Sequence, residues 1–142
     1  VDIPADPPPD MADTLEVVRQ KARAEINRQR DEKEAASPFL YLGKPFDYDQ
    51  KSRERLGKAI QGVTLALIGG ADPSTVAVEW TLADNSKLPM TLADLAGFPA
   101  AEMARSQHLH DRAGEIKATL EAAGSIAEID AILAEPGLWE VG

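Results

Sequence analysis

The chain has no cysteine, and that absence removes disulfides, thiolate metal sites and a cysteine nucleophile together. It is compatible with a reducing compartment. Histidine is almost as scarce. His108 and His110 are the only two, and an i, i+2 spacing sets them about 200° apart on a helix, so they cannot grip one ion as an i, i+4 pair does. A lone histidine acting as general base needs a nucleophile and an orienting group, and no motif nominates either. The glycines follow neither the dinucleotide fingerprint nor the P-loop pattern, and no GxSxG elbow is present. No stretch approaches the ~20 apolar residues that span a bilayer, and the start lacks a basic segment leading into an apolar one. Basic charge is short as well. The net charge is −9, and residues 101–142 carry eight acids against three bases, so a nucleic-acid partner is disfavoured. These absences point to a non-enzymatic chain with no cofactor, no metal, no catalytic residues, no nucleic acid and no membrane.

What is present is 142 residues, 44% apolar and 27% charged, the balance of a soluble globular domain. The opening VDIPADPPPD is too rich in proline to join a core. We read residues 1–12 as a proline-rich linker, 13–135 as a single domain and 136–142 as a C-terminal tail. Such a start suggests the C-terminal part of a longer protein, or a trimmed one.

From Thr14 to about Ala36 there is neither glycine nor proline, and Asp13 is placed to cap a helix. Leu15, Val18, Ala22 and Ile26 form a narrow stripe near heptad spacing, suited to a helix pair or to self-association if later helices leave it uncovered. Ser37-Pro38 ends the helix, and FLYL and PFDYD follow as extended runs around Gly43-Lys44. Asp49 caps a second helix, with Leu56, Ile60, Val63 and Leu67 on one face. Thr75–Leu82 alternates strictly, Val76, Val78, Trp80 and Leu82 facing one way, and predicts a hairpin returning through Lys87–Met90. Thr91 and Asp94 resemble a capping arrangement, Gly97-Phe98-Pro99 interrupts, and a long helix is expected from about Pro99 to Ala123 with Leu109, Ala113, Ile116 and Leu120 inward. Gly124-Ser125 precedes a last short helix. The fold class is therefore α+β: three to four helices, one long at each end, packed with two short β-hairpins.

Phe39, Tyr41, Phe46 and Tyr48 are four of the seven aromatics. With Trp80 they could form a sugar-stacking platform, or they could be core. Burying a large apolar side chain gives roughly 1.5–3 kcal/mol, and a chain this poor in aromatics is expected to bury most of them. FLYL sets Phe39 and Tyr41 on one face and Leu40 and Leu42 on the other, so this strand belongs under helices or against a partner. Leu15, Val18, Ile26, Tyr41 and Tyr48 are the candidate interaction residues. The acids are numerous but scattered, and no carboxylate pair is nominated for acid–base work.

The charged helix ending in Asn27–Glu34, the turn Phe39–Gly43 followed by Phe46-Asp47 and Asp49, the hairpin Trp80-Thr81 with Ala83-Asp84-Asn85, and the helix start Leu92-Ala93 with Leu95 come in a telling order. Together they resemble an uncharacterised domain of bacteriophage and prophage tail-region proteins, often the C-terminal module of tail fibre or tail-fibre-assembly proteins. The likeness covers about residues 14–131. It departs at Phe98-Pro99, expected to break a helix, and at the tail GLWEVG. The resemblance implies a structural or protein-interaction module of the virion tail, assembled in the bacterial host cytoplasm, with other phage tail proteins as partners. It leaves open a tail-fibre assembly chaperone or a module for host-surface glycans, and carries over no site residues.

Overall fold

The computed structural model describes residues 14–140. The proline-rich segment 1–12, the expected cap Asp13 and Val141 lie outside the described residues. The element order is α1 (Leu15–Glu34), β1 (Phe39–Tyr41), β2 (Lys44–Phe46), α2 (Gln50–Ile68), β3 (Val76–Thr81), β4 (Lys87–Thr91), α3 (Leu92–Ala96), α4 (Phe98–Ala122) and α5 (Ile126–Leu133). This is an α+β chain with a long helix towards each end and two antiparallel two-stranded hairpins, β1–β2 and β3–β4. The five-residue α3 is the short helix or kink expected between the Thr91 and Asp94 capping arrangement and the long helix. By its contacts the chain divides into two compact units, one made from residues up to Glu32 and from His108 onward, the other from Lys33–Gln107.

The first unit is helical. Ala22 and Ile26 of α1 cluster with Ala113, Ile116 and Leu120 of α4, with Ala123, and with Ile129 of α5. Leu15, Val18, Leu138 and Trp139 pack around them. Arginines at the edge of α1 fasten it further: Arg19 donates to the carbonyls of Leu120 and Ala123, and Arg23 pairs with Glu121 at 2.6 Å. Ser125 caps α5 by accepting from the Glu128 amide at 3.2 Å, and Glu128 accepts from the Gly124 amide at 2.7 Å. The tail beyond Pro136 is held too, since Arg112 donates to the Leu138 carbonyl and Trp139 Nε1 donates to Gln29 Oε1 at 2.7 Å.

The second unit gathers the aromatics. Phe39, Phe46, Tyr48, Leu56, Val63, Leu82, Met90, Leu92, Leu95 and Phe98 form its core. Asp49 caps α2 by accepting from the Ser52 amide at 2.8 Å, which holds its carboxyl below the usual range. Thr91 and Asp94 make a reciprocal capping box on α3. Phe98-Pro99 does not break the following helix. Gly97 closes α3, Phe98 opens α4, and Pro99 sits in its first turn, where the missing amide costs nothing.

Two strand readings change. In β1, Phe39 and Tyr41 face inward while Leu40 is 70% exposed, and Leu42 is no longer strand. Leu42 and Gly43 both have positive φ, 55° and 71°, and form the two-residue turn between the paired Tyr41 and Lys44. In β3 a bulge at Ala77 places Val76 opposite Thr91 but Val78 opposite Met90, so Val76 is turned out of the apolar face and is 57% exposed. Leucine is a poor occupant of a left-handed position, whereas asparagine tolerates it. Leu42→Asn is therefore expected to raise stability by about 0.5–1 kcal/mol, read as a higher urea midpoint at unchanged m-value.

Candidate interaction surface

Of the nominated residues, Leu15, Val18 and Ile26 belong to the first unit's cluster, where Ile26 is fully buried, and α4 and α5 supply the side chains they pack with. Tyr41 and Tyr48 belong to the second unit's core. The five do not come together at one place.

Each tyrosine keeps its ring in the core and its hydroxyl on a partner. Tyr41 donates to the Asp94 carbonyl at 2.5 Å, and the approach requires glycine at 97, where a Cβ would lie 2.7 Å from that hydroxyl. Tyr48 donates to Glu102 Oε2 at 2.5 Å. Arg105, one helical turn after Glu102, lays its guanidinium 4.8 Å from the Phe39 ring and 5.3 Å from the Tyr48 ring. Its terminal nitrogen donates to the carbonyls of Lys33, Glu34 and Ala36 at 2.5, 2.8 and 3.0 Å, satisfying the end of α1 that Ser37-Pro38 leaves open. A depression of about 350 Å³ lies over this cluster, rimmed by Glu34, Pro99 and Met103. Its polar groups hold the fold together.

Burial, and then the bond to Glu102, push the Tyr48 hydroxyl up to about 12. Burial raises Tyr41 in the same direction. The folded state thus holds these protons more tightly than the unfolded chain does. The stability they contribute is complete below the ordinary tyrosine value of 10.0 and is lost as pH rises through about 12. Wild-type melting temperature is expected to fall steeply across that window, and Tyr48→Phe to fall less.

A different feature of the second unit is unspent. Along one side of α2, Ser52 and Arg55, then Lys58, Ala59, Gly62 and Ala66, follow each other at helical spacing and border β3. Two depressions lie along this seam, about 200 Å³ where Arg55 faces two acids, Asp47 and Glu79, beside Thr81, and about 270 Å³ beside Lys58, Ala77 and Val78. Trp80 lines both. The larger one is apolar, and Val78 on it is 37% exposed. Nearby in the chain, Leu65 and Ile68 of α2 are 65% and 78% exposed. The first half of α2 carries Lys51, Arg53, Arg55 and Lys58 against Glu54 alone, a basic stretch in an acidic chain. Arg53 leans on the Tyr48 ring at 5.5 Å. Arg55 and Lys58 form no ion pair among the described residues, whereas Arg19, Arg23, Arg28 and Arg112 all do.

This seam escaped the sequence reading, although one signal was visible: four bases against one acid within residues 51–58. The Glu102 and Arg105 roles had no such signal, because their partners lie 54 to 72 positions away.

Of the remaining candidates, His108 and His110 are exposed on α4, and no three His, Asp or Glu side chains among the described residues are grouped to hold a metal ion. The first unit has a depression of about 290 Å³ lined by Arg112, Ile116, Thr119 and Ile132, and Arg112 there is committed to Glu115 and the Leu138 carbonyl. No described helix is long and apolar enough to cross a membrane.

The chain is an α+β arrangement of two hairpins and long helices. A family described as a domain of unknown function, DUF4376, matches residues 17–134, and the chain belongs to it. No curated protein and no solved structure matches the chain.

Proposed function

We propose that this chain is a non-enzymatic protein-interaction module of a bacteriophage tail, a structural part of the tail fibre or baseplate. The observation that carries the interaction reading is the α2–β3 seam, where two cations without ion pairs among the described residues flank exposed apolar side chains. A contiguous apolar surface rimmed by charge is what a docking partner covers. The tail setting draws its support from the sequence resemblance alone. The aromatics that would have supplied a glycan platform are mostly engaged elsewhere, with Phe39, Phe46 and Tyr48 buried and stacked with one another or on Phe98.

The setting is tested by mass spectrometry of purified particles from a phage or induced prophage that encodes the chain, combined with cross-linking before disassembly. A permanent tail part is expected in mature particles, cross-linked to tail proteins. Presence on fibre precursors and absence from mature particles would make it an assembly chaperone. Absence from both would remove the tail reading.

A further inference from the structure

We propose that the polar end of the α2–β3 seam is a binding site for one uncharged sugar ring, stacked on Trp80 and hydrogen-bonded by Asp47, Arg55 and Glu79. This goes beyond the protein-interaction reading and gives the second unit a small ligand of its own.

Trp80 is the aromatic that the other ring contacts leave over. Phe39, Tyr41, Phe46, Tyr48 and Phe98 stack among themselves, and Trp139 gives its indole N–H to Gln29. Trp80 is half-buried and packs against the second unit's core, yet it lines both depressions of the seam. Its indole N–H has no partner among the described residues and is not sealed from solvent. A ring fixed by a core and reachable from outside is what the C–H face of a sugar stacks on.

Three charged groups converge beside it from separate elements. The Ala83 amide donates to the Pro45 carbonyl at 2.9 Å, which brings the end of β2 beside the end of β3, and Asp47 then shares a depression with Glu79. Arg55 reaches the same place from α2. Opposite charges thus line one hollow of about 200 Å³, yet among the described residues none of the three closes on another as an ion pair. Their neighbours are already engaged. Thr81 accepts from Lys87 Nζ at 2.5 Å, and Asp49, the other acid in the field of Arg55, is committed to the Ser52 amide. Carboxylates accept from hydroxyls and a guanidinium donates to them, so the trio serves both halves of a sugar's hydrogen bonding. Bonds of this kind, with one charged partner, are the stronger ones. The mixture of signs also selects: an anionic ligand meets Asp47 and Glu79, a cationic one meets Arg55, and an uncharged one meets no like charge. Size sets the rest. Drug-sized ligands fill roughly 300–1,000 Å³, and this smaller hollow suits a single pyranose ring.

The test is a titration of the whole isotope-labelled chain with the methyl glycosides of glucose, galactose, mannose and N-acetylglucosamine, followed by its amide and indole resonances. At least one of the four is expected to bind saturably, with a Kd on the order of 1–10 mM for so shallow a site. The shifts should centre on the Trp80 indole N–H and the amides of Glu79 and Thr81, while the Trp139 indole, bonded to Gln29, stays in place. Arg55→Ala and Glu79→Ala, both at exposed positions outside the core, should each weaken binding about tenfold with little change in melting temperature. Added salt should leave the affinity unchanged, because the ligand carries no charge to screen. Trp80→Leu keeps an apolar filler against the core but no flat face, and should abolish binding. Should that variant unfold, the two exposed variants decide alone. No saturable shift with any of the four glycosides, shifts that spare the Trp80 indole, or undiminished binding in both exposed variants would overturn the proposal. So would tighter binding of glucuronate or glucosamine than of the uncharged rings, which would make the hollow a site for one charge. None of these outcomes bears on the particle mass spectrometry, so the tail reading stands or falls separately.

Discussion

Phe98→Ala is expected to cost the second unit about 3–5 kcal/mol, the range for removing a buried ring that its surroundings cannot replace. Phe98 is fully buried. Its ring centroid lies 5.0 Å from Phe39, 4.8 Å from Tyr41 and 5.5 Å from Phe46, tilted or edge-on in each case. Such pairs add about 0.5–1.5 kcal/mol beyond the area they bury. The neighbours have little freedom to collapse into the space. Phe39 and Phe46 are locked in register by the β1–β2 pairing, and Tyr41 is tied by its hydroxyl to Asp94. Phe98 is also the residue at which α3 gives way to α4, so it anchors the start of a 25-residue helix to both strands. Urea unfolding with unchanged m-value and a large drop in midpoint is the expected measurement. Phe98→Leu, which keeps most of the volume, should recover more than half of the loss. A cost below about 1 kcal/mol for the alanine variant would mean that the aromatic cluster is not the centre of this unit.

Much of this architecture was legible because it is written in neighbouring residues. Asp49 ahead of α2, the Thr91 and Asp94 pair ahead of α3, and Ser37-Pro38 after α1 act within a turn or two of themselves, so their chemistry can be read directly from order. Ala113, Ile116 and Leu120 repeat at helical spacing and are buried as that spacing implies. What sequence hides is anything that depends on a partner far along the chain. Alternation alone places Val76 with Val78 and Trp80, yet one extra residue at Ala77 reverses it. Apolar character alone makes Leu42 a strand residue, yet the turn between Tyr41 and Lys44 claims it. Whether the α1 stripe at Leu15, Val18 and Ile26 lies bare depends on α4 and α5, a hundred positions later. The candidate surface lies at the far end of the same scale. Basic charge in α2 is local, but its neighbours on the seam, Val78, Trp80, Glu79 and Asp47, are brought there by the fold and not by their order in the chain.

Arg105→Ala is the second large effect, about 2–4 kcal/mol of destabilisation, and its size comes from what the arginine leaves behind. Removing the side chain takes hydrogen-bonded donors from the carbonyls of Lys33, Glu34 and Ala36, where bonds to a charged donor are each worth about 1.5–3 kcal/mol and are not additive. It also removes a planar cation from the faces of Phe39 and Tyr48, at roughly 0.5–1 kcal/mol for each contact. Some of the loss is recovered, because Glu34 is only half-buried, Ala36 is exposed, and water can reach carbonyls at the end of α1. That recovery sets the upper limit. Burial lowers the arginine's affinity for its proton, the direction expected of a guanidinium drawn between two rings, yet an arginine remains charged at any pH the fold survives. Arg105→Lys should therefore rescue little. A lysine restores the charge and a single donor nitrogen, but it has no planar group to lie against the Phe39 and Tyr48 rings while that nitrogen reaches the three carbonyls. Hydrogen exchange gives the decisive readout. In Arg105→Ala the amides of the last turn of α1 and of β1 are expected to lose protection first, while Ile26 and Leu120 in the first unit keep theirs. Full protection of the α1 end in that variant, or rescue by lysine to within about 0.5 kcal/mol, would show that Arg105 contributes charge rather than a fitted cap.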